Sequence, residues 1–572
     1  MSGRVLAGPR PWPSVETGTW VAVAIGVLVA FLTLYPTLML FYGSVSDAPL
    51  GVSGRWTMAH YQEAYSDPKT YRILGNSLLF ASGATAFSML LATVLAWITV
   101  RTDAPGRGLF ELIGLAPNVI PRFLVATSWS LVLSPRIGLL NRGVLQPLGL
   151  PALNGYSLGG MMFVEGLVLT PLAFLILSAA LRAMDPALEE AGRIAGSGIL
   201  DVTRRVTIPV MAPAVIGTAT LNFARAIESL DIPVVLGMPV GIEVLSTRIF
   251  REALATLPPN HNLAATYAVG QLAITLTLVG MYRRLTALSE RYATITGRGY
   301  RPRVIHLGRW RYLASGVALA ILGLLVIVPI TVLVYVSLIP YYQVPSWEML
   351  SQLTPRHYAF LLQSNRVARA LQVSITLALG GATVAMILAS LVAYFTVHRR
   401  VRFSGILEGL SFVPWAFPGT ALAVGLLWAY AQLPLPIYGT LWILLISYVT
   451  RFLPYGLRAM TSTMVQVHRE LEESSRVCGA GFWSTFRKVL LPLVRPGFLA
   501  GWAILFTIYI QEFSTSVLLY TPRAEPVGPL LFHLWEDGQV GEMAALGILV
   551  STLCVVVVAA ARRWMREPAA TL

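Results

Sequence analysis

Two polar passages in an otherwise apolar chain carry the same groups in the same order. The first reads Leu188-Glu189-Glu190-Ala191-Gly192-Arg193-Ile194-Ala195-Gly196-Ser197-Gly198 and continues through Arg204-Arg205-Val206-Thr207-Ile208-Pro209 to Pro213. The second reads Leu471-Glu472-Glu473-Ser474-Ser475-Arg476-Val477-Cys478-Gly479-Ala480-Gly481 and continues through Arg487-Lys488-Val489-Leu490-Leu491-Pro492 to Pro496. The copies lie 283 positions apart, and ten of 26 aligned residues are identical. Paired acids, a glycine turn, paired bases and spaced prolines assign no catalytic residues. They are groups with which a loop grips a partner, and two matched copies imply two matched grips. A second set of chemistry-bearing residues lies inside apolar runs: Glu165, then Glu228 and Asp231, then Glu512. Ionisable groups within a membrane are costly and are functional candidates by default. These four carboxyls are therefore candidates for a translocation path, with local ion pairing, such as Arg225 with Glu228 one turn apart, as the competing reading.

Composition supplies the setting. Of 572 residues, 56% are hydrophobic and 12% charged, against about 25% charged in a soluble domain. Apolar runs of roughly 20 residues, the length that crosses a bilayer, recur near 20–43, 74–100, 109–133, 159–181, 210–236 and 262–282. They recur again near 312–338, 371–397, 405–431, 437–458, 495–519 and 543–561. The expected fold is an all-α polytopic membrane protein of about twelve spans, not a β-barrel of short alternating strands. The formal net charge of +15 is concentrated in particular loops, as the positive-inside rule requires, so no nucleic-acid partner is expected. Cys478 and Cys554 form no metal-ligand spacing and no disulfide framework, and no metal ligands are assigned. The first run is too long for a signal-peptide core and reads as a retained span.

Six spans in each half return the chain to its starting side, so the two halves are parallel repeats. The first unit is placed at 1–300 with its polar loop at 185–213, the second at 301–572 with its loop at 468–496. A shift of 297 pairs Asn76-Ser77-Leu78 with Val373-Ser374-Ile375, and Pro117 and Pro121 with Pro414 and Pro418. The first half thus carries about 14 extra residues, assigned to the stretch 135–160, where a loop insertion costs little. The basic connector Arg283–Arg311, the turn His398–Arg402 and the tail Arg562–Arg566 set the cytoplasmic side. Both termini and both polar loops then fall in the cytoplasm, and loops 44–70, 339–366 and 520–542 fall outside.

Within the first loop, Asp185 and Pro186 are expected to start a helix, Gly196 to turn the chain, and Arg204-Arg205 to end a second short helix before Pro209 enters the next span. The passages resemble the cytoplasmic coupling motif of permeases of binding-protein-dependent ABC importers, which reads Glu-Ala-Ala, three residues, Gly, nine residues, Ile-x-Leu-Pro. Glu190-Ala191-Gly192, Gly196 and Val206-Thr207-Ile208-Pro209 fit that spacing. So do Glu473-Ser474-Ser475, Gly479 and Val489-Leu490-Leu491-Pro492. The departures exchange small for small and branched for branched residues.

The resemblance implies a dimer of ABC ATPase subunits docked on Glu189, Glu190, Gly196, Arg204 and Pro209 and on Glu472, Glu473, Gly479, Arg487 and Pro492. It also implies a periplasmic or lipid-anchored solute-binding protein, and a bacterial or archaeal cytoplasmic (inner) membrane. No phosphate loop is present, and the two lysines, Lys69 and Lys488, follow no glycine-rich loop. The chain is therefore not an enzyme and binds no cofactor, and ATP and Mg belong to the partner. The fused layout resembles iron(III) importer permeases. Thiamine, polyamine, phosphonate and sulfate permeases share parts of the pattern, and a twelve-span secondary transporter is the reading from another class. Carboxylates in the spans favour a hard cation.

Overall fold

A computed structural model describes residues 15–114, 119–185, 191–192, 194–290, 304–398 and 401–566. The expected junction at 300/301 lies outside them. Among the described residues β pairing is confined to isolated bridges; the rest of the regular structure is helical. In the first half α1 spans Val15–Val45, α2 Pro68–Arg101, α3 Arg122–Leu133, α4 Leu158–Ala183, α5 Thr203–Glu228 and α6 His261–Glu290. In the second, α7 spans Trp310–Leu338, α8 Asn365–His398, α9 Gly419–Ala431, α10 Leu441–Val465, α11 Phe486–Ile510 and α12 Val540–Arg566.

Among the described residues nine helices are long and apolar enough to cross a membrane, and two further pairs qualify as bent spans. All twelve expected segments are helical, with three departures from plain spans. The third span of each half is broken. In the second half Ser404–Ala416 and Gly419–Ala431 meet at 109°, because Pro418 has no N–H to donate and its predecessor Phe417 is driven to an extended conformation. In the first half Pro121 caps α3 in the same extended geometry, and Pro117 lies outside the described residues. Helix α10 falls short of the apolar criterion because it carries Arg451 and Arg458. Third, an unexpected bent pair, Pro233–Val240 and Leu245–Ala255, turns by 77° between α5 and α6. Ser516–Leu519 and Val527–Glu536 occupy the matching place in the second half.

The breaks decide how the halves join. Beyond its proline, α3 is buried at every residue from Phe123 to Leu133, and α9 from Gly419 to Tyr430, as befits helices apolar all round. Helix α9 packs on α1 of the other half, and α3 packs on α7 of the other half. Gly425 permits the first crossing: a Cβ there would stand 2.5 Å from the Pro36 carbonyl oxygen. The Tyr35 hydroxyl donates to the Ala429 carbonyl at 3.0 Å across the same contact. Within each half the second, fourth and fifth spans pack on one another, so the halves are built alike and clasp reciprocally.

The connector also has a fixed seat. Ile305 pairs with Thr102 in a parallel bridge, the Leu307 N–H donates to Asp103 at 3.0 Å, and the Ser315 hydroxyl donates to the Pro105 carbonyl at 2.9 Å. That Leu307 N–H holds the half-buried Asp103 carboxyl below its usual range, with His306 adding to the effect. Asp103 thus pins the second half to the turn between the second and third spans of the first half.

Candidate functional site

The two polar motifs end on one face of the bundle with matching backbones. Gly196 has φ +86 and Gly479 φ +77, the left-handed region that side chains disfavour. The Ser197 N–H bonds Gly192 O at 3.1 Å, and the Ala480 N–H bonds Ser475 O at 3.1 Å. These six-to-one bonds close a helix C-terminus in the same way in both copies. The chain then enters Ile199–Val202 and Phe482–Thr485, each followed by a π-wound turn, Thr203–Thr207 and Phe486–Leu490. Pro209 and Pro492 account for the π turns: each removes one helical donor and crowds the preceding carbonyls, and a widened turn absorbs the mismatch. The second arm of the motif is therefore no separate short helix ending near Arg205. It runs unbroken into α5, and Arg204 and Arg487 sit on the exposed side of its first turn rather than at a C-terminus.

Glu189 and Glu190 lie outside the described residues. Their counterparts diverge. Glu472 is buried, with the Tyr394 hydroxyl at 3.5 Å and His398 Nδ1 at 3.8 Å, both from the end of α8. Glu473 is exposed, as are Arg487 and Lys488, and in the first copy Arg204, Arg205 and Pro209. Pro492 is half-buried. Sequence reasoning missed the most exposed apolar pair: Ile194 and Val477 occupy equivalent positions and each is 88% exposed. A branched apolar residue repeated at one place in a polar loop was the available signal. An apolar side chain left in water twice, at the same place, is best explained by a partner that covers it.

The intramembrane acids converge where the halves meet. Glu165 of α4 accepts from Arg122 at 2.5 Å and from the Ser229 hydroxyl at 2.7 Å. Glu512 accepts from Arg451 of α10 at 2.7 Å, from the Thr515 and Ser516 N–H groups at 2.9 and 3.0 Å, and from both hydroxyls. Glu228 faces Arg451 of the opposite half at 3.9 Å, so its contacts are not limited to Arg225 on its own helix. Asp231 is buried within electrostatic reach of Arg122, Glu165 and Glu512.

The two clusters are one design with its parts exchanged. Glu165 corresponds to Tyr448, and Ser229 to Glu512, at the motif shift of 283. The acid thus comes from the fourth span in one half and from the end of the fifth in the other. The cation is exchanged too. Arg122 corresponds to Gly419, and a Cβ on Gly419 would stand 2.4 Å from Arg451 Nη1. Arg451 therefore fills from α10 the place that Arg122 fills from α3.

The opposite face carries another repeated device. The Ser77 hydroxyl of α2 accepts the Leu245 N–H at 2.9 Å, and the Ser374 hydroxyl of α8 accepts the Val527 N–H at 2.8 Å. Beside these bonds, Lys69 pairs with Glu243 at 3.2 Å and Arg366 with Glu525 at 2.8 Å. Arg251 and His533 make the second contact to the same acids. Each bent element is thereby latched to the second span of its half. Burial opposes ionisation of Glu525, but Arg366 and His533 outweigh it and draw its pKa from 4.5 to about 2. The serines stood out as a repeat in the sequence; their partners did not, because the pairing spans residues far apart in the chain.

Among the described residues no group of three His, Cys, Asp or Glu side chains is placed to hold a metal ion.

Comparison with known proteins agrees with this architecture. The family described as binding-protein-dependent transport system inner membrane component matches residues 381–566. A ferric transport system permease of Actinobacillus pleuropneumoniae is 25% identical over 94% of this chain and 76% of its own length. An Fe(3+)-transport system permease of Haemophilus influenzae is 22% identical over 84% and 86%. A spermidine/putrescine transport system permease of Escherichia coli is 27% identical over 37% of this chain and 80% of its own length. The family match in the second half, the relatives matched over most of the chain and the duplicated helical architecture make the chain similar to permeases of binding-protein-dependent ABC importers.

Proposed function

We propose that this permease carries ferric iron from a periplasmic binding protein across the cytoplasmic membrane, driven by ATPase subunits docked on its two motif loops. The observation that carries the docking is the matched pair Ile194 and Val477, each 88% exposed on a loop of matching backbone. Exposed Arg204 and Arg205, and Glu473 and Arg487, flank these residues. In this reading the knob enters a cleft on the ATPase and the flanking charges set its orientation. Glu472 acts within the chain, relaying movement of the loop to α8. ATP and Mg are bound by the ATPase. The motif face and both termini lie in the cytoplasm, and the latched face meets the binding protein.

Iron is favoured by the names of the full-length relatives and by the carboxyls Glu165, Glu228, Asp231 and Glu512 at the meeting of the halves. These four acids outnumber the arginines beside them, Arg122, Arg225 and Arg451, which suits a cation in passage. A polyamine is the second reading, favoured by the spermidine/putrescine relative. Uptake of radiolabelled iron and of putrescine by a deletion strain carrying the gene separates them. ATP-dependent iron uptake supports the proposal; putrescine uptake without iron uptake replaces it.

A further inference from the structure

Polar contacts join the halves around the ends of α5 and α11, and they are unequal. Glu228 closes α5 and Gln511 follows α11, and the two correspond at the motif shift of 283. Each reaches into the opposite half. The Gln511 amide donates to the Val119 carbonyl at 3.1 Å. Beside Glu228, Gln271 of α6 donates to the Ile227 carbonyl at 2.9 Å and accepts from the Thr420 hydroxyl of α9 at 3.2 Å. These bonds are neutral and of ordinary length. The Glu228 carboxylate instead faces Arg451 Nη2 at 3.9 Å, an ion pair too long to be a hydrogen bond. Where one half crosses with an amide, the other crosses with a charge that is loosely seated.

Arg451 is held from the other side. Its Nη1 donates to Glu512 at 2.7 Å and to the Thr515 hydroxyl at 3.1 Å, and its guanidinium lies over the Phe452 ring at 5.1 Å. All three of these partners belong to its own half. Val168 stands at the equivalent position of α4, so the repeat does not require an arginine here. Exposure separates the acids in the same way. The Glu165 and Glu512 side chains are 0% and 3% exposed, whereas that of Glu228 is 21% exposed; Asp231 is buried. Glu165 and Glu512 are therefore enclosed with their arginines and act on a solute through their field. Glu228 reaches open space, and its partner can withdraw without losing its own anchor.

We propose that the Glu228–Arg451 pair is the exchangeable closure of the translocation path. With the halves together, Arg451 stands beside Glu228 as a tethered counter-ion. When the halves part, Arg451 stays on Glu512, and Glu228 is left facing the path with its charge uncompensated, where it draws in the passing cation. No metal ligation is required, since a single carboxylate steers a cation by its charge. The neutral bonds of Gln511 and Gln271 set where the halves meet, and the ionic contact sets how readily they part. A contact made in only one of two states shifts their balance by its own free energy, so Glu228 is a positioning residue for transport. This inference rests on the reading of the chain as an ATP-driven importer of a cation.

The test uses the full chain with its ATPase, measuring melting, ATP hydrolysis without binding protein, and, in proteoliposomes with binding protein, iron moved per ATP. Glu228→Gln keeps the shape and removes the charge. It should melt with wild type, raise unstimulated hydrolysis about fivefold, and lower the iron moved per ATP. Glu228→Asp restores the charge and should return hydrolysis towards the wild-type rate. Arg451→Lys keeps Glu512 compensated but loses the second nitrogen of the fork. It should raise hydrolysis too, and combined with Glu228→Gln it should add nothing further. Wild-type hydrolysis and wild-type iron per ATP in Glu228→Gln overturn the closure. Lowered melting of Glu228→Gln with unchanged hydrolysis makes the pair a structural bond alone and overturns it as well. A wild type that hydrolyses ATP without moving iron fails the substrate reading instead, and the hydrolysis of the variants still judges the closure.

Discussion

The decisive residues at the centre are the two buried arginine–carboxylate pairs. Removing one member of such a pair leaves an uncompensated buried charge, which costs roughly 3–5 kcal/mol. Glu165→Gln alone should therefore lower the melting temperature in detergent markedly, and Arg122→Gln with Glu165→Gln should recover most of the loss. Equal melting of single and double variants would mean that the pair is not buried as described. The latch at Glu525 predicts a pH effect of definite sign. Its folded pKa lies at about 2, below the ordinary 4.5, so its contribution is complete above about 4.5 and is lost as pH falls toward 2. Hydrogen exchange in residues 516–536 should rise across that window, and Glu525→Gln should flatten the rise. At this scale the acids themselves were legible as rare charges in apolar runs. Their partners were not, because Arg122, Glu165 and Ser229 are brought together only by packing, and because Arg451 takes over for Gly419 from another helix.

At the scale of elements, the repeat was legible to the residue. Gly196 and Gly479 both adopt positive φ, as a turn glycine should, and the third spans break at their prolines. A Gly479→Ala change must hold a Cβ in the left-handed region, at about 1–2 kcal/mol. It should loosen the loop and lower ATP-coupled uptake, while membrane insertion is unaffected; uptake equal to wild type would show that the turn geometry is dispensable. The π turns were not legible, since they depend on how Pro209 and Pro492 join a loop to a helix that continues past them. The bent element 233–255 was also missed. Pro233, Pro239 and Gly241 marked turns, but its apolar residues are buried against α3, α4 and α6 of its own half and α9 of the other, and periodicity in one segment cannot reveal a wall supplied by another.

At the scale of the whole molecule, even span numbers made the halves parallel, and the structure adds how they hold each other. The broken third span of each half packs on the first span of the other, and the connector is seated at Asp103. Gly425→Leu should push α9 from the Pro36 carbonyl and separate the halves. Co-expressed as two chains, they should co-purify in the wild type and fail to do so with that change. The central claim is that one chain offers two equivalent docking loops to ATPase subunits. Its most direct measurement is native mass spectrometry of the purified permease with its ATPase, comparing wild type with Ile194→Asp, Val477→Asp and both. The account predicts two ATPase subunits on wild type, weakened complexes for each single change, and none for the double variant, all with normal membrane insertion. Two ATPase subunits still bound to the double variant, with undiminished ATP-driven uptake, would contradict it.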